Sequence, residues 1–195
     1  MDHGIRNAQA FRPQLNREAL GGTRRASVSN EDLTRQLLSA IQPTLRQAGF
    51  RKHGATFSRD RRDTRQFVQL QKSQTSTATC LRVRINLGIF LLPLIEPTDR
   101  SWFRPKLGDS HWREYLEPHA AGGWWEVQTI ADAERVGREI AQMLHERWVP
   151  ELDSLGNSAA VAALWHSGRS PGLTERQRAD LLARLDRAVP WQASA

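Results

Sequence analysis

The sequence predicts an α+β fold: an antiparallel sheet of about four to five strands, its core at 56–89 with further strands near 111–128, and helices at about 31–48 and 132–149 packed on one face. Three observations predict it. Leu81, Val83, Ile85, Leu87 and Ile89 alternate with Arg82, Arg84, Asn86 and Gly88, the period of two that a half-buried strand requires. A second apolar run at Phe67, Val68 and Leu70 is separated from the first by the polar residues 74–78, as in consecutive antiparallel strands. Two amphipathic stretches of helical period flank these strands.

Residues 1–29 have no sustained hydrophobic period, contain Pro13 and Gly21-Gly22, and are expected to form a disordered basic tail. Their arginines are followed by no apolar core segment, so a secretory signal is not expected. Ser29, with Glu31 and Asp32 in the next turn, is a helix start, because a hydroxyl cap and two acids answer the unpaired N–H groups there. Leu33, Leu37, Ile41, Leu45 and Ala48 then share one face until Gly49. Pro43 lies inside that helix and predicts a kink or a break.

Thr56, Phe57 and Ser58 read as a short strand, the charged cluster 59–63 as a hairpin turn, and Phe67, Val68 and Leu70 as a second strand ending near Lys72. After the long strand, residues 91–110 contain three prolines and the pair Trp102-Phe103, and are expected to be an irregular loop. Segments 111–116 and 124–128 read as further strands. Asp132 is expected to cap the second helix, whose Val136, Ile140, Met143 or Leu144, Trp148 and Leu152 line one face, with Pro150 ending or bending it. Beyond Gly156 come two shorter helices, one at about 158–167 and one starting at the capping box of Thr174 and Gln177. The organisation expected is a single α+β domain at 30–155 and a C-terminal helical extension at 156–195.

With 195 residues and a hydrophobic fraction of 39%, the chain suits one core. No apolar run approaches the roughly 18 residues of a membrane span, so no membrane association is expected. Cys80 is the one cysteine, which excludes an intramolecular disulfide and a thiolate metal cluster and is compatible with a cytoplasmic location. The six histidines are not paired at metal-ligand spacing, and neither a Gly-x-Ser-x-Gly elbow nor a glycine-rich phosphate loop is present. No metal and no cofactor is expected. The net charge of +7 is concentrated in the tail and in residues 51–74, where seven basic side chains meet only Asp60 and Asp63.

If Val68 and Leu70 share a core with Val83 and Ile85, then Gln69, Gln71, Arg82, Arg84 and Asn86 share the opposite face. Their amides and guanidinium groups suit a carboxylate, a phosphate or the acidic side chains of a partner. Phe67 and the loop pair Trp102-Phe103 would offer stacking surface beside them. The tryptophans at 112, 124, 125 and 148 are assigned to packing. His111, with Asp109 or an arginine of the sheet face, is the remaining chemical candidate.

The chain carries, in this order, Gly49-Phe50-Arg51-Lys52, Thr56-Phe57, Gln71-Lys72-Ser73, Asn86-Leu87-Gly88-Ile89, the segment 111–116, Trp124-Trp125 and an acidic helix reaching Pro150. On these the chain, over residues 31–155, resembles a mostly bacterial family catalogued as domain of unknown function 4304. Around His111 it departs from the family pattern, with Ser110 before it and Tyr115-Leu116 after it. The resemblance implies an α+β domain with an antiparallel sheet and no established activity.

The leading functional expectation is a small cytoplasmic, non-catalytic interaction module, of immunity or stress-response type by analogy. It would bind a protein partner through Gln69, Gln71, Arg82, Arg84, Asn86, Trp102 and His111. The alternative is nucleic-acid binding by the basic tail and the sheet face, and a third reading is an enzyme with a site near His111. Nothing in the residues indicates an oligomeric state.

Overall fold

A computed structural model describes residues 28–95, 104–118 and 123–188. The expected basic tail and the pair Trp102-Phe103 therefore lie outside the described residues. Helix α1, Asn30–Gln47, begins at Ser29, whose hydroxyl accepts from the Asp32 N–H while the Asp32 carboxylate accepts from the Ser29 N–H. Its face of Leu33, Leu37, Leu38, Ile41 and Leu45 is buried, each side chain contributing about 2 kcal/mol by leaving water. The break allowed for at Pro43 does not occur. Pro43 and Ser39 both sit on the exposed side, so the carbonyl that loses its helical partner can bond to water instead.

Among the described residues the sheet has six strands: β1 Arg51–His53, β2 Thr56–Asp60, β3 Thr64–Lys72, β4 Leu81–Leu91, β5 Trp112–Leu116 and β6 Trp125–Val127. All pairings are antiparallel, in the order β1-β2-β3-β4-β5, with β6 also on β4. β5 lies against residues 85–89 of β4 and β6 against residues 81–83, so the two run end to end along one edge. β1 gives no apolar alternation because, as the outermost strand, it is exposed on both sides. Arg59 and Asp60, expected in a turn, continue β2. The turn itself is residues 61–63, closed by the Arg61 N–H donating to the Thr64 carbonyl at 2.9 Å.

One face of the sheet carries Phe57, Val68, Leu70, Val83, Ile85, Leu87 and Ile89 into the core with α1 and α2, Ile130–Met143. Thr129, not Asp132, is the N-cap of α2; Asp132 completes the capping box from the third position. At Gly137 the two helices approach so closely that an added Cβ would lie 2.6 Å from the Cβ of Ala40. Where a single helix ending near Pro150 was expected, the chain widens into a π-helical turn, Leu144–Trp148, and resumes as α3, Val149–Ser154. Pro150 lacks the N–H that would bond four residues back, and the wider turn carries the helix past it.

Helices α4, Ser158–His166, and α5, Glu175–Ala188, cap the end of the sheet where β3 begins and β4 ends. Asp63 accepts from the Ser158 N–H at 2.9 Å and from its hydroxyl, and Thr64 Oγ1 donates to the Gly156 carbonyl. Val161, Trp165 and Leu185 belong to the same hydrophobic core as the sheet. Among the described residues, no helix is long and apolar enough to cross a membrane.

Candidate functional site

The register of β3 and β4 sets Gln69 opposite Asn86 and Gln71 opposite Arg84, on the face that α1 and α2 do not cover. There the side chains form a ladder. Gln71 Oε1 accepts from Arg84 Nε at 2.9 Å and from Asn86 Nδ2 at 2.8 Å, and Gln69 Nε2 donates to Thr56 Oγ1 at 3.0 Å. Asn86 Oδ1 is buried and has no donor among the described residues. Four of the residues read from the strand period are thus brought together by hydrogen bonds. Arg82 stands at the margin, 3.2 Å from Glu126 Oε1 and donating from Nη1 to Thr75 Oγ1.

The second face is bare over only part of its area. A short 3₁₀ turn, Leu107–Asp109, crosses it at Gly88, where an added Cβ would be 2.4 Å from Ser110 Oγ and 2.6 Å from Leu107 Cδ1. Gly88 is therefore what lets this segment lie on the strand. Phe67, opposite Gly88, is buried, and so is Phe90. Phe67 has no exposed ring for stacking, contrary to the expectation. Arg113 holds the covering segment down by donating to the carbonyls of Ser110 and Gly108.

At the border between the covered and open parts, Arg84 lies between two aromatic rings, 4.3 Å from the Tyr115 centroid and 4.7 Å from that of Trp124. Each such contact is worth about 0.5–2 kcal/mol and, with the Gln71 bond, restricts the guanidinium to one orientation. Its two terminal nitrogens have no hydrogen-bond acceptor among the described residues. Arg84 borders a cleft of about 120 Å³ lined also by Gln71, Asn86, Leu107, Arg113 and Tyr115, among others. The charge of Arg84, with that of Arg113, which is bonded to the Ser110 and Gly108 carbonyls, favours an anion there. The volume is well below the roughly 300 Å³ at which cofactor sites begin, so the space suits a head group rather than a whole cofactor.

From the sequence, Tyr115 has no role and Trp124 is assigned to packing; the structure puts both on Arg84. Of the four tryptophans assigned to packing, Trp112, Trp125 and Trp148 are buried, whereas Trp124 is half-buried over Arg84. The signal was available. If Trp125 and Leu116 point into the core, their neighbours at 124 and 115 point to the other face by the strand period.

His111 lies apart from the ladder, at the start of β5. Its Nδ1 accepts from the Leu91 N–H at 3.0 Å and its ring packs on Phe90 at 4.5 Å. Burial pushes its pKa down to about 4, helped by Arg184 and Arg113 and opposed by Asp109. The imidazole is therefore neutral at pH 7, with Nε2–H as its remaining donor. Trp102 lies outside the described residues. Among those described, no group of three or more His, Cys, Asp or Glu could hold a metal ion.

A family model described as Domain of unknown function (DUF4304) matches residues 41–154. No curated protein and no solved structure matches the chain.

Proposed function

We propose, for a chain that belongs to the DUF4304 family, that it is a non-catalytic interaction module whose open sheet face receives an acidic side chain of a protein partner beside Arg84. One observation carries this reading: Arg84, which borders a cleft, is clamped between Tyr115 and Trp124, tied through Nε to Gln71, and left with its terminal nitrogens unused. A guanidinium immobilised in this way loses little further entropy when it forms a paired bond to a carboxylate. Tyr115, 45% exposed, supplies the kind of aromatic rim that partner-binding surfaces favour.

The test is affinity capture with the full chain from its native host. Wild type is expected to recover a partner that Arg84→Glu does not, while Arg62→Ala, on the distant hairpin turn, recovers it unchanged. Equal recovery by Arg84→Glu sinks the reading. Binding of mixed RNA or DNA that weakens steeply with salt and disappears in a Tyr115→Ala, Trp124→Ala variant would assign the face to nucleic acid instead.

A further inference from the structure

A second cleft, of about 340 Å³, opens at the β1–β2–β3 corner of the same face, lined by Gly49, Arg51, His53, Ser58, Arg59, Asp60, Arg61 and Arg65. The registers explain the convergence: Arg51 sits opposite Ser58 and Arg65 opposite Asp60, which brings an edge-strand cation and a β3 cation to one side of β2. Four arginines and one carboxylate residue, Asp60, line this space, but only Arg51 and Arg65 have their guanidinium groups free of the core-side Asp153. Asp153, just behind, is shared by Arg59 and Arg61 at 2.9 and 2.6 Å and answers part of that charge. Arg51 has no ionic partner among the described residues. Arg65 Nε is buried without a hydrogen-bond partner and forms only a long ion pair, 3.6 Å, with Asp60 Oδ1.

A concave site with excess positive charge and a buried donor that makes no hydrogen bond favours an anion. No Phe, Tyr or Trp lines the cleft, and every lining residue but Gly49 carries a polar or charged side chain, so the site selects charge rather than an apolar body. Guanidinium forks match phosphate oxygens in pairs, and a cleft of this volume accommodates two or three linked phosphates.

We propose that this cleft binds the phosphate chain of a small polyphosphate anion, with Arg51 and Arg65 as its principal contacts. Arg59 and Arg61, already engaged by Asp153, contribute field more than new bonds. The site is independent of the Arg84 cleft: it uses different strands and a different anion chemistry.

The experiment is calorimetric titration of the full chain with inorganic tripolyphosphate at low salt, with citrate as a carboxylate of comparable charge. The result expected is saturable tripolyphosphate binding, weaker binding of citrate, and a loss of about tenfold or more for each of Arg51→Ala and Arg65→Ala. Both substituted side chains are on the surface side of the sheet, and unchanged melting temperatures without ligand verify folding. Arg84→Glu should leave the titration unaltered, so this proposal and the partner reading fail separately. The proposal is overturned by absent saturable binding, by equal binding in the Arg51→Ala, Arg65→Ala double variant, by citrate binding as tightly, or by an oligonucleotide that binds the cleft and is not displaced by tripolyphosphate.

Discussion

Arg59 and Arg84 are both strand arginines stacked on aromatic rings, and they meet opposite requirements. Arg59 points to the core side, where its Nε donates to Gln66 at 2.7 Å, Nη1 to the Ala48 carbonyl at 2.7 Å and Nη2 faces Asp153, with Phe50 beneath at 4.3 Å. Burial, the largest influence, lowers its pKa to about 10, and Asp153 opposes that shift. It joins the sheet to the ends of α1 and α3. Arg59→Ala is expected to lower the unfolding free energy by about 3 kcal/mol, read by urea denaturation, because Gln66 and the Ala48 carbonyl lose their partner inside the fold. A change below about 0.5 kcal/mol would show that the network carries no stability. His111 gives a second residue-scale prediction. Its folded pKa, about 4, lies below the ordinary 6.5, so the stability it contributes is present above pH 6.5 and lost as pH falls toward 4. The loss is on the order of 2–3 kcal/mol over that window. His111→Asn keeps an acceptor for the Leu91 N–H without titrating, and should flatten this part of a pH–stability curve. The capping carboxylates Asp32 and Asp132, held low by their hydroxyl partners, lose their contribution only at more acidic pH, below the ordinary carboxylate value of 3.8.

At the scale of elements, the strand period identified both faces of β3 and β4, because a side chain on a strand has only two directions to take. It could not reveal that Leu107–Asp109 would lie across one of them. Gly88 marks that crossing, and its absent side chain is the reason the segment fits. Gly88→Ala is expected to cost about 1–3 kcal/mol through the clash with Ser110 and Leu107. Hydrogen exchange should quicken at residues 107–110 while β2 and β3 stay protected. Uniform exchange in both proteins would mean that the turn does not depend on the glycine. Pro43 and Pro150 make the complementary point. The same residue is carried by an unbroken helix where its face is wet, and is accompanied by a π-helical turn beside the buried Trp148.

For the whole molecule, the C-terminal helices pose the sharpest question. Val161, Trp165 and Leu185 fill the same core as the sheet, and their burial amounts to roughly 6 kcal/mol, comparable with the 5–15 kcal/mol that holds an ordinary domain together. A chain ended at residue 155 is therefore expected to melt at a much lower temperature, or without a cooperative transition, in a circular-dichroism melt. If residues 30–155 melt like the full chain, the helices are an appendage rather than part of the core.

Local chemistry was enough to determine the capped helices, the alternation of β3 and β4, and the pooling of Gln69, Gln71, Arg84 and Asn86 on one face, since propensity, capping and period act between residues near in sequence. Tertiary structure alone decided the rest. Pairing β4 with β5 and β6 put Tyr115 and Trp124 on either side of Arg84, packing across Gly88 closed part of the face, and registering β1 and β3 on β2 gathered Arg51 and Arg65 at one cleft. These contacts join residues dozens of positions apart, and their geometry follows from strand register and close packing, which no local pattern encodes.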